Sequence, residues 1–85
     1  MNFSTFTAHG QREIILLHLR KHGSMTTQEA RDELGIPHPA GRVQELRDKG
    51  FDIVTTWAIA YTPDGGPHRM ANYVLKSGRT IGGIM

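Results

Sequence analysis

The sequence predicts a small α+β domain in which three helices are followed by a two-stranded β-hairpin. Two changes of pattern along the chain carry this prediction. From residue 11 to residue 49, apolar residues recur at helical spacing, with interruptions at Gly23 and Gly35; after Gly50 they alternate with a period of two. A helix presents one face every 3.6 residues, whereas a strand presents one face every second residue. The helices therefore come first and the strands second.

The first helix is predicted over residues 11–22. Ile15, Leu16 and Leu19 form one apolar stripe, which Arg12 begins one turn earlier. The basic residues 20–22 favour the negative end of the helix dipole, and Gly23 suits the position just after a helix. The polar residues 1–9 precede this helix and are predicted to be an N-terminal arm.

The second helix is predicted over residues 27–34, after a short extended link at residues 24–26. Thr26 and Glu29 have the spacing of a capping box, in which each side chain accepts a hydrogen bond from an unpaired backbone N–H. Ala30 and Leu34 share the inner face of this helix. Ile36 is then placed to enter the core beyond the Gly35 turn.

The third helix is predicted from about residue 39 to residue 49. Pro39 suits the first position of a helix, because its missing N–H would be unpaired there in any case. Ala40, Val43 and Leu46 are expected to face inward, and Gly50 ends the helix. Six residues are expected to face outward: His38, Gly41, Arg42, Gln44, Glu45 and Asp48.

The hairpin is predicted from two runs of strand-forming residues. Residues 51–61 alternate and are rich in β-branched side chains, residues 63–67 form a dense turn signal, and residues 68–75 make the second strand. Tyr73 and Leu75 are expected to face inward. Trp57 is expected to pack on the hairpin or in the core rather than to stack on a base.

Three helices followed by a hairpin is the element order of a winged helix, and the second and third helices have the proportions of a helix-turn-helix. In DNA-binding proteins of this type, the second helix of the pair enters the major groove and the hairpin lies against the neighbouring backbone. The candidate DNA contacts are His38, Gly41, Arg42, Gln44, Arg47, Lys49, His68 and Arg69.

Each candidate contact has a role and a structural alternative. Arg42 and Gln44 are expected to read bases, and the small Gly41 permits close approach; the remaining basic residues are expected to contact phosphates. Alternatively, Arg42 pairs with Glu45 or Asp48 within the helix. His38 could instead cap the helix or stay solvated, and the basic hairpin residues could form an ordinary charged edge.

The sequence also resembles a known family. Three stretches are similar to small winged helix-turn-helix proteins of bacteriophages and prophages. They are the run from Thr27 to Ile36, the stretch Arg42-Val43-x-Glu-Leu-Arg-x-x-Gly-Phe51-x-Ile53, and the later Tyr73-Val74-Leu75. The resemblance extends over roughly residues 10–76. It implies a DNA-binding fold of phage or prophage origin, with residues 77–85 left as a C-terminal tail.

Composition limits the other functional classes. The chain has 85 residues, enough for one domain, and a net charge of +2, which favours nucleic acid only weakly. It has no cysteine, no apolar run of about 18 residues and no signal-peptide pattern at its N-terminus, so we expect a cytoplasmic protein that is not bound to a membrane. The resemblance to phage and prophage proteins implies that this cytoplasm is that of a bacterial host cell.

The sequence contains no recognisable catalytic pattern. No nucleophile elbow, phosphate-binding loop or paired carboxylate site is present, so we expect no enzyme activity, cofactor or small-molecule substrate. His18 and His22 are spaced to share a metal on one helix face, but they lack a third ligand. The expected partner is double-stranded DNA, bound by a monomer or a homodimer; the alternative is a winged helix that binds a host or phage protein.

Overall fold

The computed structural model describes residues 4–76; residues 1–3 of the predicted arm and the predicted tail at 77–85 lie outside the described residues. The described chain forms six elements, which in order are α1 (Ala8–His22), β1 (Ser24–Thr26), α2 (Thr27–Asp32), α3 (Pro39–Asp48), β2 (Ile53–Tyr61) and β3 (Pro67–Leu75). The predicted order of three helices followed by a hairpin is confirmed.

Helix α1 begins at Ala8, so the predicted start at residue 11 was wrong. The Thr7 side chain caps the helix by accepting a hydrogen bond from the Gly10 N–H, at 2.9 Å. The chain before it folds back on α1, where the Gln11 side-chain amide donates to the Thr5 carbonyl, at 2.6 Å. Gly10 is buried against this segment, and a Cβ atom there would lie 1.8 Å from the Ser4 carbonyl oxygen. The segment and the helix can pack this closely only because residue 10 lacks a side chain.

The predicted capping box at the start of α2 is confirmed. The Thr26 hydroxyl accepts from the Glu29 N–H at 3.1 Å, and the Glu29 carboxylate accepts from the Thr26 N–H at 2.8 Å. The helix ends at Asp32, two residues before the predicted end. Beyond the turn, the Ile36 N–H donates to the Ala30 carbonyl at 2.9 Å, and the Ile36 side chain is fully buried in the core, as predicted.

Helix α3 begins at Pro39, as predicted, and ends at Asp48. Its buried stripe is Pro39, Val43 and Leu46, and Ala40 is exposed. The prediction that Ala40 faces inward was therefore wrong. Residues 39 and 40 lie four and three positions before Val43, so helical spacing allows either one to share its buried side. In the structure the Pro39 ring is the one that packs into the core.

The sheet has three strands in the order β1-β3-β2, and not the two that the sequence predicted. Residues 24–26, expected to be a link, pair antiparallel with β3, so that Met25 lies opposite Tyr73. Both side chains are buried, and this pairing places the base of the sheet against the helices. A strand of three residues is too short to show an alternating pattern, which is why the sequence indicated only an extended link.

The hairpin continues past the core and forms the wing. Directly opposed residues of antiparallel strands share a face, so Ile53, Trp57, Ile59 and Tyr61 lie on the same face as Tyr73. Ile53 and Tyr73 are buried by the helices, but Trp57 is 59% exposed. The guanidinium of Arg69 lies over the Trp57 ring, 4.5 Å from its centre. Trp57 therefore packs on the hairpin, as predicted, outside the core.

Replacing Gly10 with alanine tests the packing of the N-terminal segment. We expect Gly10→Ala to lower the free energy of unfolding by about 1–3 kcal/mol, because the new methyl group collides with backbone that must move. Thermal unfolding followed by circular dichroism measures the change. Gly41→Ala is the matched control, since no atom lies within 4 Å of a Cβ at that helical position; equal destabilisation by the two substitutions would contradict the packing described here.

Candidate nucleic-acid interface

The outward side of α3 carries four exposed residues: Ala40, Gly41, Gln44 and Asp48. At 3.6 residues per turn these four positions fall within an arc of about 100° opposite the buried stripe. We call this arc the reading face. Its only charged group is Asp48, which accepts a hydrogen bond from the Gln44 amide at 3.1 Å. Asp48 lies at the C-terminal end of the helix, so the N-terminal half of the reading face is uncharged.

The N-terminus of α3 is open. His38 occupies the capping position, but its side chain makes no capping hydrogen bond and is exposed. The predicted alternative of a His38 side-chain cap was therefore wrong. The His38 side chain therefore leaves the first backbone N–H groups of the helix without a cap, and unpaired N–H groups at a helix start suit a phosphate. Gly41 adds no bulk to this end, and nothing within the protein requires a glycine there.

Arg42 is turned toward the body of the protein rather than toward the reading face. Its guanidinium pairs with the Glu45 carboxylate at 2.9 Å, and Glu45 also accepts from Arg12 of α1 at 2.8 Å. The Arg42 side chain is 24% exposed, and its buried Nε atom has no hydrogen-bond partner. The expected outward orientation of Arg42 was therefore wrong, whereas the Glu45 side chain is 38% exposed. The structural alternative, a pair between these two residues, describes the observed geometry.

Arg47 is also engaged within the protein. Its Nε donates to the Ile53 carbonyl and its terminal nitrogen donates to the Thr55 hydroxyl, each at 2.6 Å. These bonds join α3 to the first residues of β2. Arg42 and Arg47 lie at opposite borders of the buried stripe, and each reaches away from the reading face to a different neighbour.

The remaining predicted contacts lie at the margins of this surface. Lys49 is exposed directly after α3. On the wing, the His68 ring nitrogen lies 3.9 Å from the Asp64 carboxylate. Arg69 points to the opposite face of β3, where it stacks on Trp57. The structure brings His38, Gly41 and Gln44 together on one helix and leaves the two wing residues on separate faces.

Sequence reasoning missed Arg31. This exposed residue of α2 donates from its Nε to the Pro37 carbonyl at 3.4 Å, which holds it beside the turn that leads into α3. In helix-turn-helix proteins the first helix of the pair crosses the DNA backbone. The sequence could have indicated this candidate, because Arg31 is a basic residue on the polar side of that helix. Arg12 was seen only as the start of an apolar stripe, and its ion pair with α3 was also missed.

Metal ligands and membrane spans were the other features considered on the sequence. Within residues 4–76 no group of three or more potential metal ligands is found, and no helix is long and apolar enough to cross a membrane. The rings of His18 and His22 are 4.5 Å apart on α1.

A comparison with protein families identifies the fold. The family model of a winged helix-turn-helix domain matches residues 10–78. The chain belongs to this winged helix-turn-helix family. Membership of the family suggests DNA binding, in agreement with the predicted α+β fold and its helix-turn-helix. No curated protein matches the sequence significantly.

Removing the Glu45 carboxylate tests whether it holds α3 against α1. We expect Glu45→Ala to lower the free energy of unfolding by about 1–3 kcal/mol, because two partly buried guanidinium groups lose their shared counter-charge. Urea denaturation measures this. Asp48→Ala removes an exposed carboxylate from the same helix and should change stability by less than about 0.5 kcal/mol. Equal effects of the two substitutions would mean that Glu45 contributes only as an ordinary surface charge.

Proposed function

We propose that this winged helix-turn-helix protein binds double-stranded DNA with the N-terminal half of α3 in the major groove and the wing against the neighbouring backbone. One observation carries the proposal: the outward side of the second helix of the pair offers small and neutral polar groups at its open end. Helices of this type contact base edges with their N-terminal residues. The one carboxylate of the reading face, Asp48, is at the far end from the proposed contact.

Gln44 is the residue of the reading face best suited to read a base. A glutamine amide both donates and accepts, and it pairs with the N6 and N7 edge of adenine in the major groove. Ala40 and Gly41 lie beside it without bulk, so the helix can sit deep in the groove. His38 is placed at the entrance, where its ring nitrogens reach a base edge or a phosphate.

The phosphate contacts are assigned to exposed basic residues outside the reading face. Arg31 precedes α3, Lys49 follows it, and His68 and Arg69 are on the wing. This assignment differs from the one made on sequence alone, in which Arg42 read bases and Arg47 contacted a phosphate. We now assign to these two arginines the positioning of α3. Arg47 binds the start of β2, and Arg42 shares the Glu45 carboxylate with Arg12 of α1.

The biological role rests on the resemblance to phage and prophage proteins. It favours a non-enzymatic regulator of transcription or an accessory factor in recombination or packaging, acting in the cytoplasm of a bacterial host. No cofactor, metal or small-molecule substrate enters this proposal.

A second candidate function is binding to another protein. It is favoured by the exposure of Trp57 and Ile59, which are 59% and 56% accessible on the wing. These residues lie on β2 and not on the reading face, so a protein contact there leaves α3 available for DNA.

Binding of mixed-sequence duplex DNA at low salt, followed by fluorescence polarisation, tests the proposed function. We expect a dissociation constant below about 100 μM that rises with salt; no binding in that range would refute the proposal.

Arg31→Ala should weaken binding to all sequences alike and reduce the slope of log K against log salt by about 0.9, since one phosphate contact is lost. Lys21→Ala removes the same charge from the exposed surface of α1 and should leave that slope nearly unchanged. If both substitutions reduced the slope equally, Arg31 would contribute only to the general electrostatic attraction and would not contact a phosphate.

Replacing Gln44 tests the assignment of the base reader. Selection from a random DNA pool should yield a preferred site, and Gln44→Ala should weaken binding to that site by roughly 1–3 kcal/mol while leaving mixed-sequence binding unchanged. The loss should be concentrated at an A·T pair. If the variant keeps the full preference of the unmodified protein, Gln44 does not read the sequence.

A further inference from the structure

Strand β2 is a long, open edge of the sheet. In the order β1-β3-β2 it pairs with β3 on one side only. At the start of the outer edge the Ile53 carbonyl accepts from Arg47 of α3, so the open part of this edge is residues 55–61. The other edge, β1, has three residues, whereas β2 has nine. Natural edge strands are usually protected by short length, charged side chains or proline. Residues 53–61 contain no charged residue, no proline and no glycine.

The exposed apolar side chains of the described chain are concentrated on this strand. Of the six large hydrophobic residues that are exposed within residues 4–76, four lie on β2: Val54, Trp57, Ile59 and Tyr61. Tyr61 is 77% exposed, and Trp57 and Ile59 share its face. An open edge and an apolar surface therefore coincide on one strand.

We propose that β2 pairs antiparallel with β2 of a second copy of this chain, which joins the two sheets into one of six strands. Antiparallel pairing of identical strands about a two-fold axis is self-complementary and closed, so it stops at a dimer. A strand without charges can meet its own copy without like-charge repulsion. The nearest arginines of the wing are the two copies of Arg69, whose strands lie three strand spacings or about 14 Å apart across the sheet, which exceeds the Debye length of about 8 Å at physiological salt.

The available apolar area makes this a small contact. A buried aromatic side chain removes about 150–250 Å² from water, so the exposed parts of Trp57 and Tyr61 together supply roughly 270 Å² per copy. With Ile59, Val54 and the strand backbone, the contact reaches roughly half or more of the ~800 Å² per partner of a standard interface. We therefore expect a weak dimer with a dissociation constant on the order of 10–100 μM.

The register of fullest overlap follows from the length of the open edge. Ala58 is the middle residue of residues 55–61, so complete pairing of these seven residues places Ala58 opposite its own copy. Residues whose numbers add to 116 then face each other, and Thr56 lies opposite Ala60 of the other copy. The dimer carries two α3 helices, but the inference does not depend on DNA binding.

Sedimentation equilibrium of the full chain from about 5 to 500 μM tests the dimer. We expect the mass to rise from monomer to dimer, and Ile59→Lys to raise the dissociation constant at least tenfold. Leu17→Lys is the matched control: Leu17 is 50% exposed on α1, close to the 56% of Ile59, and should have little effect. Circular dichroism checks that both variants fold. A monomer at every concentration, larger open-ended assemblies, or equal effects of the two lysines would overturn the proposal.

Cysteine cross-linking tests the register, because the chain has no cysteine of its own. A mixture of Thr56→Cys and Ala60→Cys proteins should form a disulfide between the two variants under mild oxidation. Each variant alone should cross-link at least tenfold less, since two copies of residue 56 lie about 13 Å apart along the strands in this register, whereas a disulfide needs Cα atoms within about 7 Å. Equal cross-linking in the mixture and in the single variants, or none in any sample, would overturn this pairing.

Discussion

The carboxylate of Glu45 is the constraint on which the presentation of α3 depends. It lies between the guanidinium groups of Arg12 and Arg42, at 2.8 and 2.9 Å, and so joins α1 to α3. Both arginine side chains are mostly covered, at 19% and 24% exposure, and a covered cation is costly without a counter-charge. Arg42 is thereby held away from solvent, and the reading face is left with neutral groups over its N-terminal half.

Polar contacts also join α3 to the wing, on the border of the helix that carries Arg47. Arg47 binds the Ile53 carbonyl and the Thr55 hydroxyl, so the start of β2 follows the end of α3. Thr26 is both the last residue of β1, opposite Asn72, and the cap of α2. Thr26 thus belongs both to the sheet and to the helix-turn-helix. This shared residue fixes the position of the wing relative to α2 and α3. The reading face is thus part of one connected unit.

Most of what the sequence predicted depends on residues close together in the chain. The capping box joins Thr26 to Glu29, and the buried stripe of α3 follows a spacing of three or four residues. What it missed depends on partners far apart: Arg12 and Glu45 are separated by 33 residues. Met25 likewise finds its strand partner at Tyr73, on the other side of the helix-turn-helix. The exposure of Trp57 could not be predicted either, because alternation shows which residues share a face but not where the helices stop covering it.

The charge distribution links the two proposed surfaces. The exposed basic residues assigned to phosphate contacts are few, namely Arg31, Lys49, His68 and Arg69, and the chain as a whole has a net charge of +2. Each phosphate contact contributes one released counterion, so a single copy gains little electrostatic affinity. A single DNA-binding module also buries only about 600–1,000 Å² of protein surface. Pairing through β2 doubles both quantities without using any residue of α3, so the apolar edge of the wing supplies what the neutral reading face lacks.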